Sequence, residues 1–187
     1  MDIEIRLFGP VEVVTPSGRL SSSDFPSRKA KQVLQVLALA AGRVVSKDRL
    51  IDLLWRRRMP RNPAATVELA VSLLRSALAT VTDAALVVTA PGGYRLDTAL
   101  VDIDTGRFDE LLQLSAESPA DGRMTMLAEA VRLADRPLFE DELGAEWVVN
   151  DRERFRVKSQ SAALGLGRQA LAVDDATLAF SMAERAR

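Results

Sequence analysis

The sequence predicts an α+β module over the first half of the chain and an all-α domain over the second. Three observations carry that division. From Asn62 to Thr80 a helical stripe, Val67, Ala70, Val71, Leu74, Ala77 and Leu78, continues to Val81 at spacings of i, i+3, i+4 and i+7. Short β-like runs lie before and after it, from Ile3 to Phe8 and from Leu86 to Leu96. After Asp97 no strand pattern remains, only helical periodicity.

Taken in order, Ile3 to Phe8 sets Ile, Ile and Leu against Glu and Arg as a half-buried strand, and Gly9-Pro10 punctuates it. Val11 to Thr15 is a second strand, Pro16-Ser17-Gly18 a turn, and Arg19-Leu20 the start of a third strand. A helix from Ser27 keeps Ala30, Val33, Leu34, Leu37 and Ala41 in register and stops at Gly42. Arg28, Lys29 and Lys31 in its first turns oppose the helix dipole. A phosphate neighbour or a solvated basic face would each account for them. Val44-Val45 is a short β piece, and Ser46 caps the helix SKDRLIDLLW, with Leu50, Ile51, Leu54 and Trp55 inward.

The loop RRRMPRN brings Arg56, Arg57, Arg58 and Arg61 together as a phosphate clamp. Asn62 caps the long helix and Pro63 takes its first position, where a missing N–H costs nothing. Leu86 to Thr89 and Tyr94 to Leu96 form a ribbon around Ala90-Pro91-Gly92-Gly93. The glycine pair permits positive φ and close backbone approach. Helix, turn, long helix, two-stranded ribbon is the order of a winged helix-turn-helix, and the helix from Asn62 is its candidate DNA-reading element.

In the second half, Asp104 or Thr105 caps RFDELLQLSA, and Pro119 to Ala134 is a helix. The turn-rich DRPLFEDELG follows, a long helical pattern runs from about Ala145 through Ala172, and a last helix starts at Asp174. Alanines recur where paired helices touch, at Ala128, Ala130, Ala162, Ala163, Ala170 and Ala183, which suits stacked antiparallel pairs.

Composition narrows the function. The 187 residues contain no cysteine and no histidine, which removes disulfides, thiolate chemistry, the commonest general base and the commonest transition-metal ligand. No catalytic constellation and no metal or cofactor site is read, so the chain is expected not to be an enzyme. Glu140, Asp141 and Glu142, with Asp102 and Asp104, have the donors for a divalent cation, but loop carboxylates that cap helices are much commoner and are the reading taken. Asp141 and Glu142 are alternatively a surface for a basic region of the transcription machinery. MDIEIRLFGP lacks the apolar segment of a signal peptide, and the longest apolar run, Val33 to Ala41, is too short to span a bilayer. The expectation is a cytoplasmic protein without membrane association. The net charge of −1 hides a split: residues 1–97 carry 14 Lys/Arg and 9 Asp/Glu, and residues 98–187 carry 11 and 17. A front of +5 suits a polyanion, and a rear of −6 suits a different partner.

Several stretches, in order, resemble the SARP-type (antibiotic regulatory protein) family of transcriptional activators. They are IRLFGPVEV, AGRVVSKDRLIDLLW, ATVELAVSLLRSAL and GGYRL in the front half, then VDIDTGRFDELL, LAEAVRLADRPLFEDEL and AEWVVNDRERF. The resemblance implies an OmpR-type winged helix at 1–97. It also implies an all-α, TPR-like bacterial transcriptional activation domain at 98–187, one that continues beyond Arg187 if the natural protein is longer. It further implies an activator that binds direct repeats in double-stranded promoter DNA, as two protomers side by side, and contacts RNA polymerase holoenzyme. Carried over by residue, Thr66, Glu68, Ser72, Arg75 and Ser76 lie near bases in the major groove. Ser46 and Trp55 hold backbone phosphate. Gly93, Tyr94 and Arg95 form the wing, with Arg95 in or near the minor groove.

One departure matters. Where the family usually has a second arginine this chain has Leu73, and where another basic residue is common it has Ser76. The face opposite the core stripe holds Ala65, Glu68, Leu69, Ser72, Ser76 and Ala79, with few groups for bidentate base contacts. Base readout by one protomer is therefore expected to be weak, with much of the affinity coming from charge on the flanking loop and wing. The competing expectation is a non-enzymatic interaction module whose winged helix no longer reads DNA.

Overall fold

The computed structural model describes residues 2–56, 59–142 and 144–186. Strands β1 (Glu4–Arg6), β2 (Glu12–Thr15) and β3 (Gly18–Leu20) form an antiparallel meander that sets Ile5 opposite Val13 and Val13 opposite Leu20. Their inward side chains Ile5, Val13 and Leu20 are buried, as the alternation requires. Three helices follow: α1 (Arg28–Leu39), α2 (Lys47–Leu54) and α3 (Pro63–Leu78). Each has a side-chain cap at its start. Ser27 accepts from the Ala30 N–H, Ser46 from Arg49 and Asn62 from Ala65. On α3 the buried residues are Val67, Ala70, Val71, Leu74, Ala77 and Leu78, the stripe read from the spacing. Strands β4 (Val45–Ser46), β5 (Val87–Ala90) and β6 (Gly93–Leu96) make a second sheet in the order β4-β6-β5.

The strand β7 (Asp102–Ile103) corrects the expectation that no strand follows Asp97. It lies parallel to β1, with Ile5 opposite Ile103, and completes a four-stranded sheet in the order β3-β2-β1-β7. Two residues cannot display alternation, and their partner is the first strand of the chain. From β7 the chain enters α4 (Asp104–Glu117), then α5 (Ala120–Leu133), α6 (Val149–Ala172) and α7 (Ala176–Arg185), each packed on the next. Gly167 marks one close approach, since a Cβ there would lie 3.3 Å from Met182 Cβ.

Asp104 does not cap α4. The cap position is Ile103, without a side-chain hydrogen bond. The Asp104 carboxylate instead turns back to the first sheet and accepts the N–H groups of Leu7 and Phe8 at 2.8 and 2.9 Å. Burial is the dominant influence and raises its pKa to about 6, against the opposing pull of those hydrogen bonds. Beside it Phe8, Phe108 and Phe155 meet edge to face, with centroids 5.4 to 6.0 Å apart. One continuous core thus runs from Ile3 to Phe155, and a smaller one joins Leu127, Val131, Leu166 and Met182.

The acidic turn Glu140–Glu142 overturns two expectations together. Glu142 is fully buried and accepts from Arg28 (2.7 Å) and Gln32 (3.0 Å), with the Lys31 ammonium 3.4 Å away. Asp141 pairs with Lys31 at 2.5 Å. Of the cations heading α1, Arg28 and Lys31 therefore pair with carboxylates of the second half, Arg28 while still largely in water, and Lys29 lies over Trp55. Those acids, in turn, are not presented to a partner. Burial would push Glu142 up, but the hydrogen bonds from Arg28 and Gln32 and the nearby cations hold it below the usual carboxylate range.

Candidate nucleic-acid interface

Burying one stripe of α3 leaves the opposite one open. Ala65, Glu68, Leu69, Ser72, Arg75, Ser76 and Ala79 are all exposed, and Leu69 keeps 60% of its surface. Thr66 is half-buried and its hydroxyl donates to the Asn62 carbonyl, so it supports the cap at the head of the helix. Ser72 and Ser76 stand free on the open face. Glu68 is held at 2.5 Å by Lys47 from the first turn of α2, and that bond raises the ammonium above its ordinary pKa.

Arg75 stands on the open face but reaches sideways. Its guanidinium donates to the Val87 carbonyl (3.0 Å) and the Thr89 hydroxyl (2.8 Å) of β5, and lies 5.9 Å from the Tyr94 ring centroid. The single basic residue of α3 thus ties the helix to the ribbon. Tyr94 is buried and anchors the ribbon from below. Arg95 is half-buried on β6 and sits 3.6 Å from Asp97.

The two glycines of the ribbon do different work. Gly92 has φ +77°, a left-handed conformation with open space around it. At Gly93 a Cβ would come within 2.1 Å of the Val45 carbonyl oxygen. Only glycine lets β4 and β6 pair there, so Gly93 serves the sheet.

Ser46 and Trp55 lie at opposite ends of α2, about 13 Å apart at 1.5 Å per residue. Ser46 is exposed at the head of α2, its hydroxyl oxygen accepting the Arg49 N–H. Trp55 is half-buried, lies 5.0 Å beneath the Lys29 ammonium, and lines a 440 Å³ cleft shared with Trp147. Burial lowers Lys29 from its usual value. The tryptophan therefore faces the junction with the second half, and the pair does not converge on one phosphate. Arg56 and Arg61 are exposed, while Arg57 and Arg58 lie outside the described residues. The residue missed from sequence is Lys47. It follows the Ser46 cap directly, but nothing in the order of residues announces that it meets Glu68 on the next helix. Among the described residues no group of three or more His, Cys, Asp or Glu is placed to hold a metal ion, and no helix is long and apolar enough to cross a membrane.

The segment carrying this geometry, residues 26–96, matches the family model "Transcriptional regulatory protein, C terminal". That segment has the winged-helix fold of such domains. Over 94% of its length the chain shares the fold of Mycobacterium tuberculosis EmbR in complex with a low affinity phosphopeptide, with a TM-score of 0.67 at 23% identity. This chain spans 50% of that chain's length. No curated protein matches. The matched domain is one found in transcriptional regulatory proteins, and with the fold it agrees with the SARP-type resemblance and with the α+β front and helical rear expected from the sequence.

Proposed function

We propose that this winged helix docks on double-stranded promoter DNA, with α3 in the major groove and the β5–β6 ribbon at the adjacent minor groove. On this reading the helical second half contacts RNA polymerase holoenzyme, and two protomers occupy adjacent repeats. The observation that carries it is the shape of α3: one face buried in the core and the opposite face bare, with half-buried Lys47 on Glu68 and exposed Arg61 just before the Asn62 cap. Base contacts come from Glu68, Ser72 and Ser76, which suit cytosine amino groups and other polar edges, and from Ala65 and Leu69 against thymine methyls. Much of the affinity is electrostatic and falls steeply with salt.

A gel-shift titration against the gene's own upstream region, at two salt concentrations, tests this. The upstream fragment is expected to shift at lower protein concentration than unrelated DNA. Equal affinity for both at low salt would remove the DNA-reading role. The second reading, an α3 face that binds protein, is favoured by the exposed Leu69 and by Arg75 being turned to the ribbon. It predicts no preference among DNA fragments at any salt.

A further inference from the structure

Away from α3, a cavity of about 720 Å³ opens where the two halves meet. Its size falls in the range of small-molecule pockets. The apolar part is Phe8, just after β1, with Leu138 and Phe155. Arg136, Arg152, Arg156 and Arg185 line the rest, against only two carboxylates, Asp135 and Glu153. Asp135 pairs with Arg185 at 2.7 Å, Glu153 with Arg156 and Glu140 with Arg136, in a half whose formal charge is −6.

The floor is rigid because both halves build it. Gly9 N–H donates to the Pro137 carbonyl (2.9 Å), Phe139 N–H to Leu7 (2.8 Å) and Glu140 N–H to Gly9 (2.9 Å). Arg152 secures it by donating to the carbonyls of Leu138 and Phe139 at 2.8 and 2.7 Å. Arg185 ties α7 to the end of α5 through the Val131 and Ala134 carbonyls. The two remaining arginines are on the rim. Arg136 engages Glu140 through Nε, and Arg156 engages Glu153 and Gln160 on its own helix. Both side chains are 54% exposed, and a guanidinium carries five N–H donors, so each retains donors for an incoming anion.

We propose that this cavity binds a small amphipathic acid, its apolar body on Phe8, Leu138 and Phe155 and its anionic head received by Arg136 and Arg156. Such a ligand touches both halves of the chain at once, so its binding free energy adds to the stability of their junction. The site is independent of whether α3 reads DNA.

The test titrates the full chain with 8-anilinonaphthalene-1-sulfonate, an aromatic anion whose fluorescence rises on burial. Saturable binding is expected, with the dye displaced by sodium decanoate and not by decanol. Val149→Trp fills the cavity from an exposed edge position and should weaken dye binding by roughly tenfold or more, as should Arg136→Ala combined with Arg156→Ala. Phe180→Ser, on an exposed apolar face of α7 outside the cavity, should leave binding unchanged. Decanol competing as well as decanoate would overturn the proposal. So would dye binding that does not saturate, or that survives Val149→Trp and disappears in Phe180→Ser.

Discussion

Arg28 and Lys31 at the head of α1, and Lys47 and Arg61 beside α3, all sit in the basic front half, and as lone cations in sequence they look alike. In the fold they differ. The first two are matched to Glu142 and Asp141, carboxylates more than a hundred positions later, and weld the winged helix to its neighbour. Arg61 faces solvent, and Lys47 is only half covered by Glu68. Positive charge counted along a chain therefore overstates what is on offer to a polyanion. Part of it is consumed internally, and of the rest only Lys47 is tied to the open face of α3, through Glu68.

That contrast can be broken or sharpened by substitution, starting where the effect is greatest. Gly93→Ala drives a Cβ into the Val45 carbonyl and should destabilise the protein by about 3 kcal/mol in urea unfolding. Gly92→Ala meets open space and carries only the left-handed backbone penalty of about 1–2 kcal/mol. Equal costs would show that the ribbon does not need the β4–β6 pairing.

Next comes the weld. Glu142→Ala leaves Gln32 without its buried acceptor, while Lys31 keeps Asp141, and should cost about 2–3 kcal/mol, less than a fully buried pair because Arg28 stays largely in water. Because the folded state holds Glu142 below its ordinary pKa, its contribution is complete at neutral pH. That contribution is lost as pH falls through the folded value. Arg61→Ala should cost nothing measurable in stability.

Asp104 has the opposite sign. Its folded pKa is about 6, against 3.8 for an unperturbed aspartate, so the folded state binds more protons than the unfolded state between those values. Its contribution is present at low pH and is lost as pH rises through about 6. Asp104→Asn should flatten the stability profile between those limits, whereas Asp104→Ala should lower stability throughout by stranding the Leu7 and Phe8 N–H groups. An unchanged profile in Asp104→Asn would place the titration elsewhere.

The smallest effects belong to the open face of α3 and its flanks. From the sequence, Arg75→Ala should relax base preference and Arg95→Ala should mainly lower affinity. With Arg75 tied to Val87 and Thr89, its loss should loosen the ribbon by about 0.5–1 kcal/mol. Binding should then weaken alike on all DNA fragments. Arg61→Ala should reduce the slope of log affinity against log salt by about one. A change of preferred sequence in Arg75→Ala would restore the base-reading role.

Local rules made much of the fold legible. The i, i+3, i+4 stripe named every buried residue of α3, and Ser27, Ser46 and Asn62 were readable as caps because capping is settled within three residues. The bare face of α3 follows from the same periodicity. Gly93 was visible as a turn glycine, but the carbonyl it makes room for belongs to another strand.

What the residues determine alone is thus the set of elements, their faces and the order of a winged helix, because periodicity and capping act over a few neighbours. What the tertiary structure decided is which charges remain available. It placed Arg28 and Lys31 on buried carboxylates, Arg75 on the ribbon, Asp104 on the backbone of the first sheet and β7 beside β1. Each of those partners is remote in sequence or on a different element. An ion pair or hydrogen bond depends on distances of a few ångströms that only packing sets.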